Sequence, residues 1–358
     1  MPRTSSGKKV TNKTVNKKDI AQLLSEWSQE FSVFVPWRDE GAAKWARWDG
    51  KDTSFLDWYR NTVVPPKANF LPPVEEMFRF HKDREGYHIE LPPSDGHQQL
   101  IFGIRPCDAK ALAMLDMTFN DVYEDPYYLS KRSNTVLVGL GCTNPYDSCF
   151  CTSLGSSPTD STDVDLMLTD IGAKFLVEEI TDKGKALMAN ISLAEEATEA
   201  DEARAKAARE AAYNKVTRQL DTTDIGQKLL ANFDNQDYWE KIAAKCISCG
   251  ICTFLCPTCY CFDINDELVK NRGERFRSWD SCAFPLYTRM PVENPRLEKW
   301  RRVRQKVCHK YEFYPISFKV VACTGCGRCI RLCPVNWDIT QALASLPAEA
   351  QSKRGSER

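Results

Sequence analysis

One pattern of cysteines occurs twice in the chain, as CISCGICTFLCP over residues 246–257 and as CTGCGRCIRLCP over residues 323–334. Both read C-x2-C-x2-C-x3-C-P, with Cys246, Cys249, Cys252 and Cys256 in the first copy and Cys323, Cys326, Cys329 and Cys333 in the second. The short spacers wrap the backbone around one point, so three thiolates and several amides face the same small volume. The longer step and the proline turn the chain away and send the fourth thiolate to a different centre. This spacing predicts two [4Fe–4S] cubanes with exchanged ligands. Cys246, Cys249, Cys252 and Cys333 would hold one, and Cys323, Cys326, Cys329 and Cys256 the other. Zinc sites use two C-x2-C knuckles joined by a longer loop, and leave a third closely spaced cysteine and its proline without a role. Gly250 and Gly327 follow the second cysteine of each copy, where the backbone must approach the cluster closely.

The chain has 358 residues, sixteen of them cysteine, and 42% are hydrophobic. That length suits two domains with sizeable cores. Disulfide frameworks belong to short, secreted, loop-rich chains. Here the basic opening MPRTSSGKKVTNKTVNKK is followed by no apolar segment, so it reads as a solvated tail rather than an export signal. The expected compartment is reducing and cytoplasmic. No apolar run reaches the length of a membrane span. A net charge of −1 argues against nucleic acid or an anionic membrane as the main partner.

A second group of cysteines lies upstream. QLIFGIRPCDAKALAMLDMTF reads as a strand over 100–104, then Cys107, then a helix capped by Asp108. NTVLVGLGC reads as a strand over 135–140 ending at Cys142, with Cys149 and Cys151 on the loop beyond. If the strands are parallel neighbours, Cys107 and Cys142 lie side by side at their carboxyl ends, where open α/β sheets place ligands. An extended loop would put Cys149 and Cys151 on one side. Three readings stay open for Cys107, Cys142, Cys149 and Cys151: a third cluster, a structural zinc, or reduced thiols. Cys259, Cys261, Cys282 and Cys308 remain. They allow a fourth cluster, or thiols that hydrogen-bond the neighbouring clusters.

DVDLMLTDIGAKFLVEEI reads as two strands around a turn at 170–172. Residues about 193–219, rich in Ala, Glu, Lys and Arg, read as a polar, solvent-exposed helical insertion. DYWEKIAAKC is a short helix, capped by Asp237, leading into the first motif. In NPRLEKWRRVRQKVCHKY, Leu297, Trp300, Val303 and Val307 recur at helical spacing, and Arg296, Arg301, Arg302, Arg304, Lys306 and Lys310 cover the rest. That helix face is either solvated, a docking surface for an acidic partner, or a positive field near the clusters. The N-terminal hundred residues start with an amphipathic helix bearing Ile20, Leu23, Leu24 and Trp27 and offer little chemistry. His81, His88, His97 and His309 lie in no metal or triad pattern. No dinucleotide fingerprint, phosphate-binding loop or nucleophile elbow is visible.

The blocks IFGIRPCDAKAL, DPYY, GLGC, CFCTS, DLMLTDIG, CISCGICTFLCPTCYCFD, WDSC and CTGCGRCIRLCP resemble the iron–sulfur beta subunit of cytoplasmic sulfhydrogenases. They are also similar to the corresponding iron–sulfur subunits of anaerobic sulfite reductase and of flavin oxidoreductase–heterodisulfide reductase complexes. The resemblance spans roughly residues 70–340; Cys308 falls outside its motifs. It implies an electron relay of anaerobic metabolism, placed between a subunit that binds FAD and NAD(P)H and a catalytic subunit. That catalytic subunit would be a hydrogenase, a sulfite reductase, a heterodisulfide reductase, or a molybdenum or tungsten enzyme. The alternative is a catalytic subunit that reduces a sulfur or disulfide substrate at its N-terminal cluster, and a third option makes the N-terminal half a docking scaffold. The expected architecture is α+β. An N-terminal α/β domain (1–235) with cysteine-bearing strand ends precedes a two-cluster, bacterial-ferredoxin-like domain with insertions (236–346) and a tail (347–358).

Overall fold

The computed structural model describes residues 12–92 and 96–348. Its strands are β1 (Lys13–Asn16), β2 (Ser32–Asp39), β3 (Ala42–Arg47), β4 (Val74–Lys82), β5 (Tyr87–Glu90), β6 (Gln99–Ile104), β7 (Thr135–Leu140), β8 (Leu166–Asp170), β9 (Lys174–Glu179), β10 (Glu195–Glu196), β11 (Phe262–Val269) and β12 (Arg272–Trp279). Eight of them form one sheet in the order β10-β1-β9-β8-β7-β6-β2-β3. The middle of the sheet is parallel, with β2 beside β6, β6 beside β7 and β7 beside β8. Parallel strands covered on both faces read as continuous apolar runs, and β7 (TVLVGL) is buried at every position.

Alternation along the strands sorts two cores. Leu100 and Phe102 of β6 and Val136 and Val138 of β7 pack with Leu24 and Trp27 of the helix Ile20–Trp27. Ile101 and Leu137 face the other way, onto Leu112 and Leu115 of the helix Pro106–Phe119. A bulge at Gly103, whose φ of +88° favours glycine, shifts the register and puts Ile104 on the face of Ile101.

A smaller antiparallel sheet runs β11-β12-β4-β5. Strand pairing therefore crosses residue 235, because β4 lies beside β12. The 2%-exposed Arg277 of β12 fixes that join through Glu75 (2.6 Å) and Asp125 (2.5 Å). A third core, around Trp239, Val307, Tyr311, Trp337 and Leu343, also takes in Phe150 from the N-terminal half. The molecule is an α+β protein, and no helix among the described residues is long and apolar enough to cross a membrane.

Several local expectations are corrected. The opening tail is not solvated throughout: Thr14 and Val15 of β1 are buried in the large sheet, whereas residues 1–11 lie outside those described. At the other end Asn232 bonds the Pro347 carbonyl, and 349–358 lie outside the described residues. The polar helix is Glu199–Asn214, closed by a Thr198–Asp201 capping box. It is not a detached solvent helix, because Ala205 and Ala212 are buried and Arg209 reaches Thr169 and Glu178 on the sheet. Asp108 does not cap its helix. It lies inside the first turn, begun by Pro106, and bonds Arg328 instead. Asn235 rather than Asp237 caps the helix Gln236–Ala243, accepting from the Tyr238 amide.

Candidate metal centres

Cys246, Cys249, Cys252 and Cys333 line one cavity, whose wall includes Arg302, Lys306 and Trp337. Cys256, Cys323, Cys326 and Cys329 line a second, walled by Phe150, Lys306 and Lys310. Each motif enters its short helix through a glycine in the left-handed region, Gly250 at φ +77° and Gly327 at φ +70°. Ser248 and Gly325 are also left-handed. Such runs turn successive backbone N–H groups toward one concavity, which suits an anionic occupant. The Ser248 amide donates to Cys246 Sγ at 3.4 Å and the Trp337 amide to Cys333 Sγ at 3.2 Å.

Cys107, Cys142, Cys149 and Cys151 line a third cavity together with Gly325 and Cys326. Cys107 sits in the first helical turn after β6, and Cys142 follows β7. Arg105 ties the two strand ends together. Its guanidinium donates to the carbonyls of Leu140 (2.9 Å), Gly141 (2.6 Å) and Arg60 (2.8 Å). The loop that brings in Cys149 and Cys151 is not extended. Cys151 opens a 3-10 turn, Cys151–Leu154, so loop folding rather than strand pleat gathers the pair.

The cavities adjoin. Cys326 borders the second and third, and Cys149 Sγ approaches the Cys326 carbonyl at 3.6 Å. Cys252 and Lys306 border the first and second. The third reaches the second because Gly325 and Gly327 lack side chains. A Cβ on Gly325 would stand 2.5 Å from the Cys151 amide nitrogen, and one on Gly327 2.5 Å from the Ser148 carbonyl oxygen. Of the sixteen thiols only Cys249 is exposed.

The donor sets suit polynuclear iron–sulfur groups. A tetrahedral zinc thiolate site holds its sulfurs about 3.8 Å apart. Among the described residues, only His81, Asp83 and His88 bring three ligand atoms within 4.8 Å of one another, so no three of these thiols stand at zinc spacing. Burial pushes several of these thiols up: Cys107 strongly, Cys149, Cys323 and Cys329 as well, Cys151 to about 12 and Cys326 to about 11. Ionising those raised thiols together calls for a cationic core beside them.

Residues 245–337 match the family model described as a 4Fe-4S dicluster domain. The chain is 30% identical over 336 residues to sulfhydrogenase 2 subunit beta of Pyrococcus furiosus, an alignment that covers 90% of this chain and 96% of that protein. The chain belongs to the sulfhydrogenase beta-subunit family. No solved structure matches it.

In this family member, residues that carried no sequence signal complete the centres. Arg328 is fully buried and grips the equally buried Asp108 through two bonds, at 2.5 and 2.8 Å. It also donates to the Thr62 carbonyl at 2.8 Å. The pair locks the second motif onto the helix that carries Cys107. Asn61 Nδ2 lies 3.9 Å from Cys107 Sγ. Lys67, 3% exposed, donates to the Cys259 carbonyl at 2.7 Å. Asn61, Thr62 and Lys67 all lie in the N-terminal stretch that offered no recognisable chemistry. Each acts through a tertiary contact, which a single sequence does not show.

Cys259, Cys261 and Cys282 line none of the three cavities. Cys261 is held down to about 6 by its hydrogen bond with Cys282, and Cys282 is raised in return. Cys308 is fully buried in the core around Val307 and Trp239. His81, Asp83 and His88 converge on the β4–β5 hairpin, although the spacing of the histidines suggested no such grouping.

Proposed function

We propose that the protein is the electron-transfer subunit of a multi-subunit oxidoreductase. It would relay electrons between a subunit binding FAD and NAD(P)H and a catalytic subunit. The catalytic subunit would be a hydrogenase, a sulfite reductase, a heterodisulfide reductase, or a molybdenum or tungsten enzyme. The observation that carries this reading is the row of three adjoining, cysteine-lined cavities. A [4Fe–4S] cluster supplies one-electron chemistry and nothing else that the relay needs. Cys246, Cys249, Cys252 and Cys333 serve the first cavity, Cys256, Cys323, Cys326 and Cys329 the second, and Cys107, Cys142, Cys149 and Cys151 a third cluster. Cys259, Cys261 and Cys282 act as thiols around the second cavity rather than as a fourth site. The division at residue 235 separates one cluster-bearing unit from the next, although β4 and β12 are paired across it.

The edge at Cys249 is the end open to a partner. Ile247, Leu286, Val292 and Leu297 are exposed on the same motif and on the loop whose Phe284 packs against Gly250. The rival reading, substrate reduction at the N-terminal centre, needs a free coordination position there. Four cysteines on one cavity favour the relay. In the anaerobically purified complex, Cys149→Ala should stop electron transfer through to the catalytic subunit and spare dye-linked activity at the dicluster. Loss of the dye activity with the other clusters intact would favour the substrate-reducing reading.

A further inference from the structure

Arg302, Lys306 and Lys310 repeat at four-residue spacing, so a helix carries them on one face. In the helix Lys299–Cys308 and the turn His309–Phe313 that continues it, that face points inward. The three residues are 7%, 6% and 4% exposed. None forms an ion pair with a carboxylate among the described residues. Arg302 donates to the carbonyls of Ala283 and Arg296, both at 2.9 Å, and borders only the first cavity of the three. Lys310 donates to Thr258 Oγ1 (2.8 Å), the Ala322 carbonyl (3.0 Å) and Cys256 Sγ (3.3 Å), and borders only the second. Lys306 borders both. Its ammonium lies 4.4 Å from the centre of the Trp337 ring and forms no hydrogen bond to a protein oxygen or nitrogen.

A buried ammonium without a counter-ion is strongly unfavourable, so the wall that carries Lys306 is built for negative charge on both sides. We propose that Lys306 is a shared potential-setting residue of the dicluster, one fixed cation that favours the reduced state at both sites, while Arg302 and Lys310 each act on one. The inference rests on the cluster reading above. An added electron makes a site more negative, and a fixed cation at short range in a low-dielectric wall stabilises that state. The place of Lys306 between the cavities makes its effect common to both.

The test is an EPR-monitored redox titration of the anaerobically purified full chain. Lys306→Met should disfavour reduction of both dicluster sites by about tenfold, which is 59 mV for a one-electron couple. Lys306→Arg should stay near wild type. Lys310→Met should move one site and leave the other in place. Unchanged potentials in Lys306→Met, or a shift confined to one site, would overturn the proposal. If Lys306→Met loads fewer clusters, iron content decides: loading restored by Arg supports a need for charge, and loading lost in Arg as well assigns Lys306 to packing and sinks the idea. Wild-type protein without cubanes would instead refute the electron-relay reading itself.

Discussion

The dicluster half and the N-terminal half gather thiols by opposite routes. In the first, three of each cavity's four cysteines come from one short turn, and the fourth is exchanged from the other motif. In the second, Cys107 and Cys142 come from the ends of two parallel strands, and a folded loop brings Cys149 and Cys151 to them. A turn carries its own ligand geometry wherever the chain folds. A site assembled from strand ends exists only while the sheet, the Arg105 clamp and the contact with the other half all hold. The N-terminal centre should therefore be the fragile one, and the perturbations that separate the two halves should strike it first.

The largest effect is expected at Arg328–Asp108, the buried pair between the second motif and the helix of Cys107. Arg328→Met leaves a carboxylate without its counter-ion and should cost about 3–5 kcal/mol. Denaturant unfolding of the anaerobic protein reads this, with iron lost from the N-terminal centre before the dicluster. A change below about 1 kcal/mol would mean that the halves do not depend on this pair.

Next comes Gly327→Ala. The residue is left-handed, and its Cβ would press on Ser148, so about 1–3 kcal/mol should be lost. Gly41→Ala is the control, since Gly41 has φ +81° and open space around it. It should cost about 1 kcal/mol from backbone conformation alone. Equal losses at both positions would remove the argument that the halves meet closely at Gly327.

The smallest effect belongs to Arg209, which joins the polar helix to Thr169 and Glu178 at a half-exposed site. Arg209→Ala should cost about 0.5–1 kcal/mol, and a thermal melt unchanged from wild type would return that helix to the solvent.

What could be read from sequence follows the same division. The two motifs are local, and their spacing alone points to the dicluster. β7 was legible because a strand buried on both faces is written as an unbroken apolar run. The cap at Asp108 was misread because its carboxylate serves Arg328, 220 residues away, and no local pattern records that demand. The polar helix looked solvent-facing because alanines carry its buried face, and alanine is ambiguous between helix propensity and burial. Arg302, Lys306 and Lys310 left three readings open, since a charged face says nothing of what stands opposite until the thiols are in place.

The central claim is that strand ends and a loop build a third cubane beside the two of the motifs. Iron and acid-labile sulfide counted on anaerobically purified wild type and Cys142→Ser test it directly. The account predicts about twelve irons and twelve sulfides per chain in the wild type, falling to about eight of each in the variant while the dicluster EPR signals persist. A wild-type count of about eight that Cys142→Ser leaves unchanged, or zinc in place of iron at the N-terminal cysteines, would contradict it.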